Sequence, residues 1–206
     1  MRRQLLVMLA AAFALILVAA GAGLILQSFD EQNTHDNMSS HTSVLESALS
    51  IMKNIKNRDY VSLAKWIHPV KGVTFTPYSS VKSGKDVTLK PDDIKNANTN
   101  ASAYNWGTDA GKGDEISLPI TAYFDRYVYD HDYLAAPEIG LNRILKEGNT
   151  SENVKTAYPN AQFVDFYFSS FESQYEGMDW ASLKLVLEEY QGNWTLVGMI
   201  HSCWTP

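Results

Sequence analysis

The chain has 206 residues, 45% of them apolar and twenty-four aromatic, which excludes a disordered or low-complexity polypeptide. Past Arg2 and Arg3, fifteen basic side chains stand against twenty-three acidic ones with no Lys/Arg cluster, which argues against nucleic acid and against adsorption to anionic lipid. A single cysteine, Cys203, excludes an intramolecular disulfide, so any folded domain must stand on its core.

Met1-Arg2-Arg3 is followed by Leu5 to Leu26, twenty-two residues without a charge. A run of that length spans a bilayer core, and the preceding arginines predict the N-terminus inside and the remainder outside. Two readings stand: a retained signal anchor, favoured by the length, or a signal peptide cut near Ala20-Gly21-Ala22. Residues 1–28 are read as this segment, 29–41 as a polar stalk and 42–206 as one extracytoplasmic domain. His35 and His41 of the stalk are read as solvated residues and not as metal ligands.

Ser43-Val44-Leu45-Glu46 has the capping-box pattern and opens an amphipathic helix. Val44, Ala48, Ile51 and Ile55 form its apolar stripe, widened by Leu45, Leu49 and Met52. Asn57-Arg58 breaks it, and Asp59 caps a second short helix from Tyr60 to Ile67. His68-Pro69 ends that helix, and Val73-Thr74-Phe75-Thr76 is a first strand.

The phrase from Ile55 to Pro69, Ile-Lys-Asn-Arg-Asp-Tyr-Val-Ser-Leu-Ala-Lys-Trp-Ile-His-Pro, resembles the ketosteroid-isomerase-like superfamily, also called the nuclear-transport-factor-two-like or cystatin-like cone. The resemblance covers about residues 43–78 and 161–201. It implies an α+β fold in which a long N-terminal helix packs on a curved antiparallel sheet, here preceded by one hydrophobic membrane segment. Tyr129-Asp-His-Asp-Tyr133, Ala136-Pro-Glu-Ile-Gly140 and Gln174-Tyr-Glu-Gly-Met-Asp-Trp180 are similar to phrases of an uncharacterised family of bacterial membrane-attached surface proteins. The superfamily hosts enzymes and binding modules alike, so the likeness implies fold more than function.

In the middle of the chain, Lys90-Pro91-Asp92-Asp93-Ile94 predicts a helix start. Trp106 to Glu115 is glycine-rich, but its spacing is neither that of a phosphate loop nor that of an EF-hand, and it reads as a turn between strands. Helices are predicted from Pro119 to Val128 and from Pro137 to Lys146, with a short turn over Ser151–Ala157. Ala161 to Phe171 is a strand with Val164, Phe166 and Phe168 on one face and Phe163, Asp165 and Tyr167 on the other.

The last quarter is a long hairpin. Leu183, Leu185 and Leu187 line the core face of its first strand, and Gln191-Gly192-Asn193 is a three-residue turn. Strict alternation on the return strand places Trp194, Leu196 and Ile200 on one face and Thr195, Val197 and Met199 on the other. The Val44–Ile55 helix is expected to lie across the leucine face.

Candidate chemistry is thin. Asp130-His131-Asp132 offers acid-base groups, weighed against helix-end capping. Asp165 would be a base with a raised pKa if it faced a cone cavity, as carboxylates do in the isomerase branch. Trp194, Tyr167 and Phe166 are the ligand-binding candidates. No metal motif, nucleotide loop or nucleophile triad is recognisable, and no cofactor is expected. The preferred reading is a membrane-anchored, non-catalytic ligand-binding or protein-interaction module. The alternative is an isomerase- or dehydratase-like enzyme using Asp165 or His131, and a homodimer through the sheet is a further option.

Overall fold

The computed structural model describes residues 43–205. The Leu5–Leu26 run and the polar stalk lie outside them, and among the described residues no helix is long and apolar enough to cross a membrane. Helix α1 is described over 43–56. Val44, Ala48, Ile51, Met52 and Ile55 are fully buried, so the predicted stripe is the packed face. The helix ends in a Schellman turn: Asp59 N–H donates to Asn54 O (3.0 Å) and Arg58 N–H to Ile55 O (3.1 Å). Arg58 sits at φ 53°, a left-handed conformation that usually selects glycine. Asp59 then caps α2 (Tyr60–Ala64) by accepting from Ser62 N–H at 3.0 Å, and the helix is shorter than its predicted end at Ile67.

The strands are β1 (Val73–Thr76), β2 (Val87–Leu89), β5 (Glu138–Leu141), β6 (Gln162–Phe168), β7 (Ala181–Tyr190) and β8 (Asn193–Cys203), joined in one six-stranded sheet ordered β2-β1-β8-β7-β6-β5. A separate hairpin, β3 (Tyr104–Thr108) with β4 (Glu115–Leu118), encloses the glycine-rich turn. Helix α3 (Pro91–Lys95) begins at the predicted proline, while α4 (Ile120–Tyr123) continues into a π-helical turn over Phe124–Val128. A 3-10 turn at Tyr133–Ala135 and helix α5 (Val154–Ala157) complete the elements around the sheet.

Four expectations are corrected here. The sheet is mixed, because β1 runs parallel to β8. The predicted helix from Pro137 to Lys146 is instead strand β5 and a following loop; Ile139 and Gly140 pair with Phe166 and Asp165 of β6, which local spacing could not reveal. The hairpin turn has two residues, Gln191 (φ 53°) and Gly192 (φ 76°), because Asn193 already pairs with Tyr190; two positive φ values give the turn whose twist matches the strands. A bulge at Val197 shifts the register between Val186/Gly198 and Leu187/Leu196, so Leu196 and Met199 face the main core while Val197 and Ile200 face the opposite side.

The main core fills the space between α1 and the sheet. Leu183, Leu185 and Leu187 share this core with the apolar stripe of α1, as do Phe75, Trp106, Tyr123, Phe124 and Phe166. Trp106 stacks on Tyr123 at 3.9 Å between ring centroids, and Phe75 meets both edge-on. The other face of the sheet is covered as well. Val186, Val197, Ile200 and Phe163 lie beneath the segment 142–160, which contributes Val154 and Tyr158. Gly198 permits this covering: a Cβ there would lie 2.9 Å from the Tyr158 hydroxyl.

Candidate functional site

On the strap-covered face, β7 places Lys184 in the middle of an apolar strand, fully buried. Its Nζ lies 2.8 Å from Glu152 Oε2 and 3.9 Å from Asp165 Oδ2, and donates to Ser202 Oγ at 3.1 Å. Asp165, also fully buried, accepts from Leu145 N–H at 3.0 Å and from the Ser182 hydroxyl. Burial raises the Asp165 pKa, aided by Glu152 and opposed by Lys184, Ser182 and Leu145 N–H. Two carboxylates thus share one ammonium, and the group stitches the 142–160 strap to β6, β7 and β8. Asp165 therefore stands on the face away from α1, in a closed polar cluster with no room for substrate.

At the same end of β8 but on the opposite face of the sheet, His201 pairs with Leu183 and is buried. Its Nδ1 lies 2.9 Å from the Pro77 carbonyl oxygen, which can only accept, so Nδ1 carries the proton. Its Nε2 is 3.4 Å from Asp130 Oδ2, and His131 Nε2 lies 3.4 Å from the same oxygen. The Tyr133 hydroxyl donates to Asp130 Oδ1 at 3.0 Å. Burial works to raise the Asp130 pKa, but the neighbouring His201 and His131 imidazoles and the Tyr133 hydroxyl outweigh it, leaving it below the ordinary carboxylate value. His131 stacks on Phe171 (4.1 Å), and Asp132 turns away to pair with Lys56 at 2.6 Å. The Asp130-His131-Asp132 run is thus split among structural contacts that pin the 129–133 segment to the sheet, α1 and the β6–β7 loop. Burial and the Asp130 charge push the Cys203 thiol nearby up to about 11, which keeps it a poor nucleophile. Among the described residues no group of three or more His, Cys, Asp or Glu side chains is placed to hold a metal.

Of the ligand-binding candidates, Phe166 is a fully buried core residue and Tyr167 is buried against Trp180. Trp194 alone reaches a cleft. That cleft, about 610 Å³, is lined by Trp66, Tyr190 and Trp194 together with Pro69, Pro91 and the side chains of α2. Lys65 is its one charged lining residue, set among Ser62, Gln191, Asn193 and Thr195. The volume lies in the usual range for small-molecule and cofactor sites. None of the four principal clefts among the described residues is lined by Asp130, His131, Asp165 or His201.

Sequence reasoning missed Lys184, Glu152, Trp66 and Tyr190. A lone lysine inside an apolar strand was a visible signal for the first, because a buried ammonium demands partners. Nothing local marked the others, since the cleft joins residues from α2 and from the tip of the hairpin.

No protein-family model matches the chain, and no curated protein matches it. Among solved structures it is similar to a Xanthomonas campestris protein described as a calcium/calmodulin dependent protein kinase II association domain, with 11% identity and a TM-score of 0.33, covering 79% of this chain and 84% of that one. At that TM-score the likeness carries no argument about function or assembly.

Proposed function

We propose that this chain is a membrane-tethered, extracytoplasmic interaction module of the cone type, and that it binds through the aromatic cleft at the hairpin tip. One observation carries this reading: aromatic side chains pack the core shared by α1 and the sheet, and the largest of the four principal clefts among the described residues is instead open, aromatic and nearly uncharged. The isomerase-like alternative needs Asp165 or His131 in a cavity, whereas both are engaged in structural contacts. A homodimer through the sheet would have to form around the 142–160 strap, which covers Phe163, Val186, Val197 and Ile200. Tethering rests on the uncharged Leu5–Leu26 run behind Arg2 and Arg3.

The test is complementation of a deletion strain by full-length variants of confirmed expression. Trp66→Ala and Trp194→Ala should fail, while Asp165→Asn and His131→Ala should complement. The reverse pattern would select the enzymatic alternative. Protease added to intact cells should remove the domain; protection until lysis would refute the outward orientation.

A further inference from the structure

The cleft lies over an unpaired stretch of sheet edge. Strand β8 runs from Asn193 to Cys203, yet β1 pairs with it only at Gly198, Met199 and Ile200. Nearer the hairpin tip a single parallel bridge joins Ile67 to Leu196. In that bridge Leu196 N–H donates to Trp66 O at 2.7 Å, and Leu196 O accepts from His68 N–H at 3.0 Å. Both polar groups of Leu196 therefore point away from β7. Two residues earlier along the same regular strand, the N–H and C=O of Trp194 point the same way, because backbone direction repeats every second residue. Beyond Leu196 no β1 residue follows, and the cleft walls begin: Trp66 and α2 on one side of the edge, Tyr190, Pro69 and Pro91 around it.

We infer that the cleft takes an extended, uncharged peptide segment, which adds as a strand to the free edge of β8 at Trp194. The proposal rests on the interaction-module reading and names the partner. A free N–H and C=O pair on a strand that lines the cleft is matched by another backbone, and strand addition is a recurring mode of peptide capture. The aromatic walls suit alternate apolar side chains of that strand, which project to opposite sides of it. The lining holds no acidic residue and one lysine, so it offers nothing to pair a basic segment.

The experiment uses the full-length chain in detergent micelles, with amide hydrogen exchange read at single residues. The probe is the peptide acetyl-Thr-Val-Thr-Val-Thr-Val-Thr-amide, compared with the same peptide N-methylated at every residue, with decaproline and with cellotetraose. The Trp194 amide should exchange rapidly in the free chain and slow when the unmodified peptide is added. The N-methylated peptide should bind roughly tenfold more weakly or worse, because it has lost donors along both edges. A Trp194 amide already protected in the free chain, or equal binding of the two peptides, overturns the inference. Binding of decaproline or cellotetraose alone, lost in Trp194→Ala, overturns strand addition but leaves the interaction module standing. Failure of every probe overturns strand addition; if Trp66→Ala and Trp194→Ala also complement fully, the module reading falls with it.

Discussion

Replacing Lys184 with methionine tests whether the buried cluster holds the strap on the sheet. The substitution keeps most of the unbranched side chain and removes its charge. It leaves Glu152, which had an ammonium at 2.8 Å, and Asp165, which had one at 3.9 Å, without a counter-charge in a site that is fully buried. Breaking a buried ion pair by removing one partner costs about 3–5 kcal/mol. For a domain of this size each kcal/mol moves the melting temperature by roughly 2–4 °C, so a fall of about 6–20 °C is expected. That is a large share of the roughly 5–15 kcal/mol that holds a typical domain together. The cost is charge-specific, so Lys184→Met combined with Glu152→Gln and Asp165→Asn should regain most of the loss. Thermal and urea unfolding of the full chain in micelles provide the measurement. A Lys184→Met protein within about 1 kcal/mol of the parent would show that the cluster does not hold the strap, because surface pairs behave that way and buried ones do not.

Asp165→Asn should be tolerated at neutral pH: the Asp165 pKa is raised, so its ionised form opposes folding above that pKa and the opposition fades as pH falls through it. The advantage of the asparagine variant should accordingly shrink on acidification, as read by urea midpoints across a pH series. Asp130 has the opposite sign. Its pKa is lowered, so its contribution is present above the unfolded value of about 3.9 and is lost as pH falls through the folded one; Asp130→Asn should cost about 1–2 kcal/mol near neutrality and nothing at strongly acid pH. Gly198→Ala would set a Cβ 2.9 Å from the Tyr158 hydroxyl and 3.2 Å from Val186 Cβ, so a loss of about 1–3 kcal/mol with faster proteolysis within 142–160 is expected. Unchanged cleavage of the strap in that variant would contradict its packing against β8.

What the sequence disclosed were the features governed by local period. The α1 stripe from Val44 to Ile55, the Leu183/Leu185/Leu187 face and the two faces of β6 follow from helical and strand spacing alone. Pairing across long separations was hidden. Ile139, Ile144 and Leu145 lend Pro137–Lys146 the apolar spacing of a short helix, and only the pairing with β6 makes Glu138–Leu141 a strand. The bulge at Val197 inverts the faces of half of β8, and its one mark in the sequence is Gly198 inside the strand. The candidate site was legible only in part for the same reason. Trp194 stood out by its type and place, but Trp66 meets it through a single bridge between Ile67 and Leu196. Asp130 and His201, which look unrelated in the chain, meet because the 129–133 segment crosses the end of β8.

The hairpin-tip cleft, and no interior cavity, is where this protein is held to meet its partner. A photo-crosslinking amino acid placed at position 65 of the full-length chain in intact cells tests this, because the exposed Lys65 lines the cleft while Trp66 and Trp194 stay in place. Position 139 on the opposite sheet edge is the control, where Ile139 is 38% exposed. Position 65 should give a discrete adduct that is suppressed by Trp66→Ala and is absent from position 139. No adduct from position 65, or the same adducts from both positions, would place the partner elsewhere.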